Sequence, residues 1–232
     1  IYQTFIFERP YLFCNMITIT EENYLKAIFS LSCDRKGKQL GTNELAGHLN
    51  ISPATVSSML KKLKAKGLIS YEKYGAISLL EPGKETASLV IRKHRLWETF
   101  LVEKLEFTWD EIHEVAEQLE HIKSRKLIDQ LDKLLNYPEY DPHGDPIPKA
   151  NGEMRDTYKT TLDQGVVGKT LIMVGVKDDS PLFLQYITKL GLSIRSQIFV
   201  NARNDFDASL DTEVDGNKVL ISQQVAENIY VR

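Results

Sequence analysis

Four of the five histidines of this chain stand beside carboxylates, at helical spacing or in a proline-rich loop. His94 and Glu98 are four residues apart in the segment 91–101 (IRKHRLWETFL). Glu117, Glu120 and His121 occupy positions i, i+3 and i+4 of 116–122 (AEQLEHI), and His113 precedes Glu117 by one turn. Such spacings put side chains on one face of a helix. Two carboxylates and an imidazole make a hard-to-borderline donor set that suits a divalent first-row ion, Mn²⁺ or Fe²⁺. The same pattern also arises on an ordinary solvated helix face laced with ion pairs, and spacing alone leaves both readings open. The two cysteines, Cys14 and Cys33, both lie near the N-terminus. They provide neither a disulfide framework nor a Cys-rich zinc site, and they fit a reducing, cytoplasmic setting.

A second set of residues suits nucleic acid. Ser52 is a good N-cap and Pro53 a good first helical residue. The helix they open carries Val56, Met59, Leu60 and Leu63 on one side and Thr55, Ser57, Ser58, Lys61, Lys62 and Lys64 on the other. Residues at the start of a recognition helix meet base edges in the major groove. Ala54 and Thr55 suit thymine methyls, and Ser57 and Ser58 suit bases or phosphates. Lys61, Lys62 and Lys64 suit phosphate, as do Lys73 and Tyr74 further on. Residues 35–75 hold eight Lys or Arg against two acids, Glu44 and Glu72, in a chain of net charge −3. An acidic protein has concentrated positive charge in one stretch. The plainer reading is a helical hairpin with a solvated lysine face.

The elements that position these residues follow from periodicity. Helices are expected over Thr20–Ser32, with Thr20 as cap and Asn23 at the third position after it, from Thr42 to about Asn50, and from Ser52 to Gly67. Leu68–Leu79 reads as two strands turning at Tyr74-Gly75. Helix, helix, turn, helix, hairpin is the winged helix-turn-helix order. Three more helices follow: Pro82 to about Leu105, a helix opened by the capping box Thr108/Glu111 and running to about Ile122, and Ser124–Leu135. They suggest a dimerisation layer, and a two-fold dimer reads a palindromic double-stranded operator. Pro138, Pro142, Pro146 and Pro148 mark a linker, after which the pattern is mostly strand.

The 232 residues, 42% hydrophobic and 26% charged, are enough for one or two domains with a packed core. That balance excludes a disordered chain and a uniformly basic coat. No stretch approaches the ~18 apolar residues that a membrane span requires. Residues 1–15 are aromatic-rich and broken by Glu8, Arg9 and Pro10, a poor signal peptide. They read as an extension outside the core fold or as a docked arm.

The segments 20–28 (TEENYLKAI), 52–57 (SPATVS), 91–101, 113–121 (HEVAEQLEH) and 141–148 (DPHGDPIP) resemble the diphtheria-toxin-repressor family of iron- and manganese-dependent repressors. The tail from about Leu162, with 190–200 (LGLSIRSQIFV), resembles the family's SH3-like domain. The resemblance implies a mainly α fold with small β parts. Its divisions are an extension 1–15, a winged helix 16–80, a helical metal-binding and dimerisation domain 81–137, a Pro-rich linker 138–160 and an SH3-like (FeoA-like) domain 161–232. It implies a homodimeric repressor of metal homeostasis genes with Mn(II) or Fe(II) as corepressor. The implied primary ligands are Asn23, His94, Glu117, Glu120 and His121. Glu117 stands where iron-type members place Cys and manganese-type members Glu. Asn23 departs from the manganese branch, which usually has Asp there. The implied second site is Glu98, Asp141, His143 and Asp178, with Asp179 as the alternative to Asp178. In the iron-type version it is His94, Glu98 and His113 with Gln185.

Two other readings remain. One is a winged-helix regulator that senses a small organic ligand in a pocket lined by Trp97, Phe100 and Trp109. The other is a metalloenzyme, but no nucleophile or general base stands out and the basic segment would go unexplained. The chain is expected not to be an enzyme.

Overall fold

The computed structural model describes residues 17–33, 39–72, 75–155 and 160–232. The expected extension 1–15 and the wing residues Lys73 and Tyr74 lie outside them. The chain divides into two compact units.

The first unit comprises the residues up to His94 together with Gln118–Asp129 and Pro148–Met154. Helix α1 spans Ile19–Cys33. Its cap differs from the expectation of Thr20 with Asn23. Thr18 Oγ1 accepts from Glu21 N–H at 3.3 Å, and Glu21 Oε2 accepts from Thr18 N–H at 2.9 Å. Glu21 supplies the long carboxylate that closes a capping box, which Asn23 is too short to do. Helix α2 (Thr42–His48) and helix α3 (Pro53–Ala65) follow, the latter capped by Ser52, which accepts from Thr55 N–H. Strands β1 (Ile69–Tyr71) and β2 (Ile77–Leu79) pair antiparallel, with Ile69 opposite Leu79. Leu25, Ile28, Leu45, Val56, Leu60, Leu63 and Ile69 form the buried core. Each such side chain contributes about 1.5–3 kcal/mol on burial.

Helix α4 (Glu81–Leu105) begins in the first unit and passes into the second between His94 and Arg95. Gly83 lies so close to the Leu68 carbonyl that a β-carbon would collide with it. Helix α5 covers Ile112–Leu119, shorter than the expected run from Thr108 to Ile122. Thr108 N–H does donate to Glu111 Oε2 at 3.0 Å, but the regular helix starts after that box. It stops early because the chain must leave helical conformation before Ser124, which caps helix α6 (Arg125–Leu134) by accepting from Leu127 N–H at 3.3 Å. Glu120 and His121 therefore sit on a turn rather than a helix face.

The second unit holds Arg95–Glu117, Gln130–Ile147 and Arg155–Arg232. Strands β3 (Thr170–Val176), β4 (Gln197–Arg203), β5 (Leu210–Val214), β6 (Asn217–Ile221) and β7 (Ile229–Val231) form one antiparallel sheet in the order β6-β5-β4-β3-β7. It is the small SH3-like β part expected. Ile198 and Val200 of β4 and Leu210 and Val214 of β5 face the core under Leu184 and Ile187 of helix α7 (Pro181–Lys189). Residues 138–147 are packed here and not slack. Tyr140 bridges Pro146, Asp141 and His143 are buried, and Val176 N–H donates to His143 O at 3.0 Å. Gly144 has φ +87, and a β-carbon there would strike the Val174 carbonyl.

Gly83→Ala and Gly144→Ala should each destabilise the protein by about 2–3 kcal/mol, because the obstruction is backbone and cannot rotate away. Denaturant midpoints against a surface control such as Gly168→Ala, where only the φ of +82 is strained and nothing lies within 4 Å, separate collision from backbone strain.

Candidate metal centres

The first unit brings a carboxylate–imidazole cluster together from α1, α4 and the turn after α5. Glu120 is 0% exposed. His94 Nδ1–H donates to its Oε2 at 2.6 Å, and Lys26 Nζ donates to the same oxygen at 2.6 Å; the two nitrogens are 3.2 Å apart. Burial pushes the Glu120 carboxyl up, but the His94 hydrogen bond and the Lys26 and His94 charges outweigh it, so Glu120 titrates below the ordinary glutamate value.

His121 Nδ1–H donates to buried Glu22 Oε2 at 2.6 Å. In the neutral ring Nε2 then carries the lone pair. It stands 3.7 Å from Glu120 Oε1, a buried oxygen with no hydrogen-bond partner among the described residues. Two acceptors at that distance can share a divalent cation. Asn23 Oδ1 is a second buried oxygen with no hydrogen-bond partner among the described residues. The donor set therefore fits a divalent first-row ion. Glu22 fixes the His121 tautomer and ring plane, as carboxylates behind metal-bound imidazoles do. Neither Glu22 nor Lys26 was singled out from the sequence. Their only signal was position, one turn apart on the helix that carries Asn23.

The second unit contains another cluster. Ligand atoms of Glu98, Asp141 and His143, all buried, lie within 4.8 Å of one another. His143 Nε2–H donates to the Trp109 carbonyl at 2.8 Å, so in the neutral ring the lone pair on Nδ1 faces Glu98 Oε1 at 3.8 Å. Asp141 Oδ1 accepts from the backbone N–H groups of His143 (2.8 Å) and Asp145 (3.0 Å), and its Oδ2 is 3.4 Å from Arg95 Nε. His113 is 3.5 Å from Glu98 and 3.6 Å from Glu117, which belongs to this unit. Asp178 stands outside the group, its Oδ1 accepting from Ser180 N–H at 2.9 Å. Gln185 instead donates to Asp110 at 2.8 Å.

On α3 the expected contact residues Ser52, Pro53, Ala54, Thr55, Ser58, Lys61, Lys62 and Lys64 are exposed and Ser57 is half-buried. Trp97 is buried and stacks edge-on against Phe100, with ring centroids 5.7 Å apart. Trp109 instead lies flat against His143.

Burial drives the Asp141 carboxyl well above the ordinary aspartate value; Glu98 and Asp145 add to this and Arg95 opposes it. The folded state therefore holds its proton more tightly, and the associated stability is lost as pH rises from the unfolded value near 3.8 through the raised one. Asp141→Asn should remove that loss. In chelator-treated protein the stability of the variant relative to the parent should increase with pH above that value, read from thermal midpoints across a pH series.

Three family profiles cover the chain. Residues 16–77 match the N-terminal DNA-binding domain of iron-dependent repressors, 80–149 their metal-binding and dimerisation domain, and 160–232 the FeoA domain. The iron-dependent repressor IdeR of Mycobacterium tuberculosis is 34% identical over 134 residues, 58% of this chain and 57% of that protein. The chain thus spans little more than half the length of such curated relatives. A solved manganese-dependent transcriptional repressor in complex with manganese is 34% identical, with TM-score 0.80, covering 91% of this chain and 98% of that one. The repressor ScaR with bound Cd²⁺ is 35% identical, with TM-score 0.75 and the same coverage. The chain belongs to the iron-dependent repressor, or diphtheria-toxin-repressor, family.

Proposed function

We propose that this chain is a metal-dependent, DNA-binding transcriptional repressor of metal homeostasis genes, with Mn(II) or Fe(II) as corepressor. The observation that carries this is the pair of acceptors, His121 Nε2 and Glu120 Oε1, facing each other within the unit that contains the winged helix. Asn23, His94, Glu120 and His121 are the proposed ligands there, and Glu117 is a further proposed primary ligand. Glu98, Asp141 and His143 are the proposed second site, with Asp178 as a further donor and His113 alongside.

A bound divalent ion would supply two positive charges to these buried acceptors. The residues do the rest. Asn23 and Glu22 ride on α1 and move with the DNA-reading helices, whereas Glu120 and His121 ride on the turn that leads into α6. Holding the two segments in one arrangement biases the protein toward it by the difference in ion affinity between arrangements. Ser52, Pro53, Ala54, Thr55, Ser57 and Ser58 then meet base edges, and Lys61, Lys62, Lys64, Lys73 and Tyr74 the phosphates. Leu127 and Leu134, exposed and two turns apart on α6, suit pairing with a second copy and so reading of a palindromic operator. Among the described residues, no helix is long and apolar enough to cross a membrane. A cytoplasmic setting and action by binding rather than catalysis complete the reading.

Glu120→Ala and His121→Ala should each lower Mn²⁺-stimulated operator retention by about 10–100-fold while leaving a folded protein. A gel-shift series with and without chelator reads this, and an undiminished metal response in both variants would sink the proposal. Lys62→Ala should weaken binding to all sequences alike and lower the salt dependence by about one counterion, read from affinity against salt concentration.

A further inference from the structure

We infer that Lys26 is a tethered monovalent cation that opposes metal uptake by neutralising Glu120 in advance, and thereby sets how much divalent ion the site requires before it fills. The inference rests on the metal-site reading above.

The geometry is specific. Lys26 Nζ lies 2.6 Å from Glu120 Oε2, a carboxylate 0% exposed, whereas the Lys26 side chain keeps 18% of its surface in solvent. Lys26 stands one turn after Glu22 and three residues after Asn23 on α1, so it arises from the helix that carries the proposed ligand. Its ammonium and His94 Nδ1–H both donate to Oε2, while Oε1 faces His121. A divalent ion between Oε1 and His121 Nε2 would meet a carboxylate already neutralised, with a unit positive charge a few ångströms away in a medium that screens poorly. Taking both Glu120 oxygens would require the ammonium to leave. Lysine can do so: its head is a strongly hydrated point charge on a flexible stem, already partly in water. The opposition is purely electrostatic. It weakens all divalent ions alike, so it moves the threshold of the response and not the choice among metals.

The test is calorimetric titration of Mn²⁺ into chelator-stripped full-length protein, with thermal unfolding of the same stripped samples. Lys26→Met should bind Mn²⁺ about tenfold or more tightly than the parent, because the competing charge is gone. Without metal it should melt at lower temperature, because Glu120 has lost its counter-charge. Lys26→Gln, which keeps a hydrogen-bond donor but no charge, should shift affinity in the same direction and covers the case in which Lys26→Met does not fold. Lys26→Arg, which restores the charge, should return affinity toward the parent's. Equal or weaker Mn²⁺ affinity in both uncharged variants overturns the role of Lys26 while leaving the metal-site reading standing. Absence of Mn²⁺ binding by the parent and every variant overturns that reading and this inference with it.

Discussion

A carboxylate buried without its counter-charge is among the most costly groups a protein can hold, several kcal/mol even after relaxation. Glu120 meets that constraint in this chain. It lies on the turn between α5 and α6, where His94 gives it a hydrogen bond and Lys26 a hydrogen bond and a charge, while His121, held in place by Glu22, stands beside its other oxygen. The helix α1 of the first unit and the turn that leads to α6 are thereby tied through the same few polar atoms.

The two clusters solve the charge problem with different cations. In the first unit the cation is lysine, whose ammonium pairs with one oxygen and whose side chain keeps 18% of its surface in solvent. In the second it is Arg95, whose guanidinium also donates to the Pro146 carbonyl at 2.6 Å and to Asp145 at 2.7 Å. Arginine fixed by several directional bonds at once is a structural member and does not readily withdraw. Arg95 therefore shapes the loop that presents Asp141 and His143, whereas Lys26 is held by the single oxygen it pairs with on Glu120.

Much of this was legible in the sequence. The order of helices and hairpin, the Ser52-Pro53 start of α3 and the carboxylate–imidazole spacings around His94 and Glu117–His121 are local patterns, and local patterns survive folding. What the sequence concealed was non-local. Glu22 finds its partner 99 residues away and Lys26 finds Glu120 94 residues away, distances that no periodicity encodes. The cap of α1 was misplaced by two residues because Thr18 and Thr20 are both plausible caps, and only the reach of Glu21 decides between them. The early end of α5 was hidden because the helical pattern runs on through 120–122 while Ser124 needs the backbone extended. The prolines of 138–148 signalled a linker by composition, but their burial depends on β3 approaching Gly144, which composition cannot express.

That proline-rich stretch has a property of its own. Pro146 and Pro148 have no N–H, and the one between them, on Ile147, is spent on the Glu139 carbonyl at 2.8 Å. Their carbonyls are occupied by arginines, Pro146 by Arg95 and Pro148 by Arg92. An extended segment normally offers a ladder onto which a foreign strand can dock. Arg155 Nε takes the Ile147 carbonyl as well, so residues 146–148, buried as they are, present no free rung for edge-to-edge association between copies at high concentration.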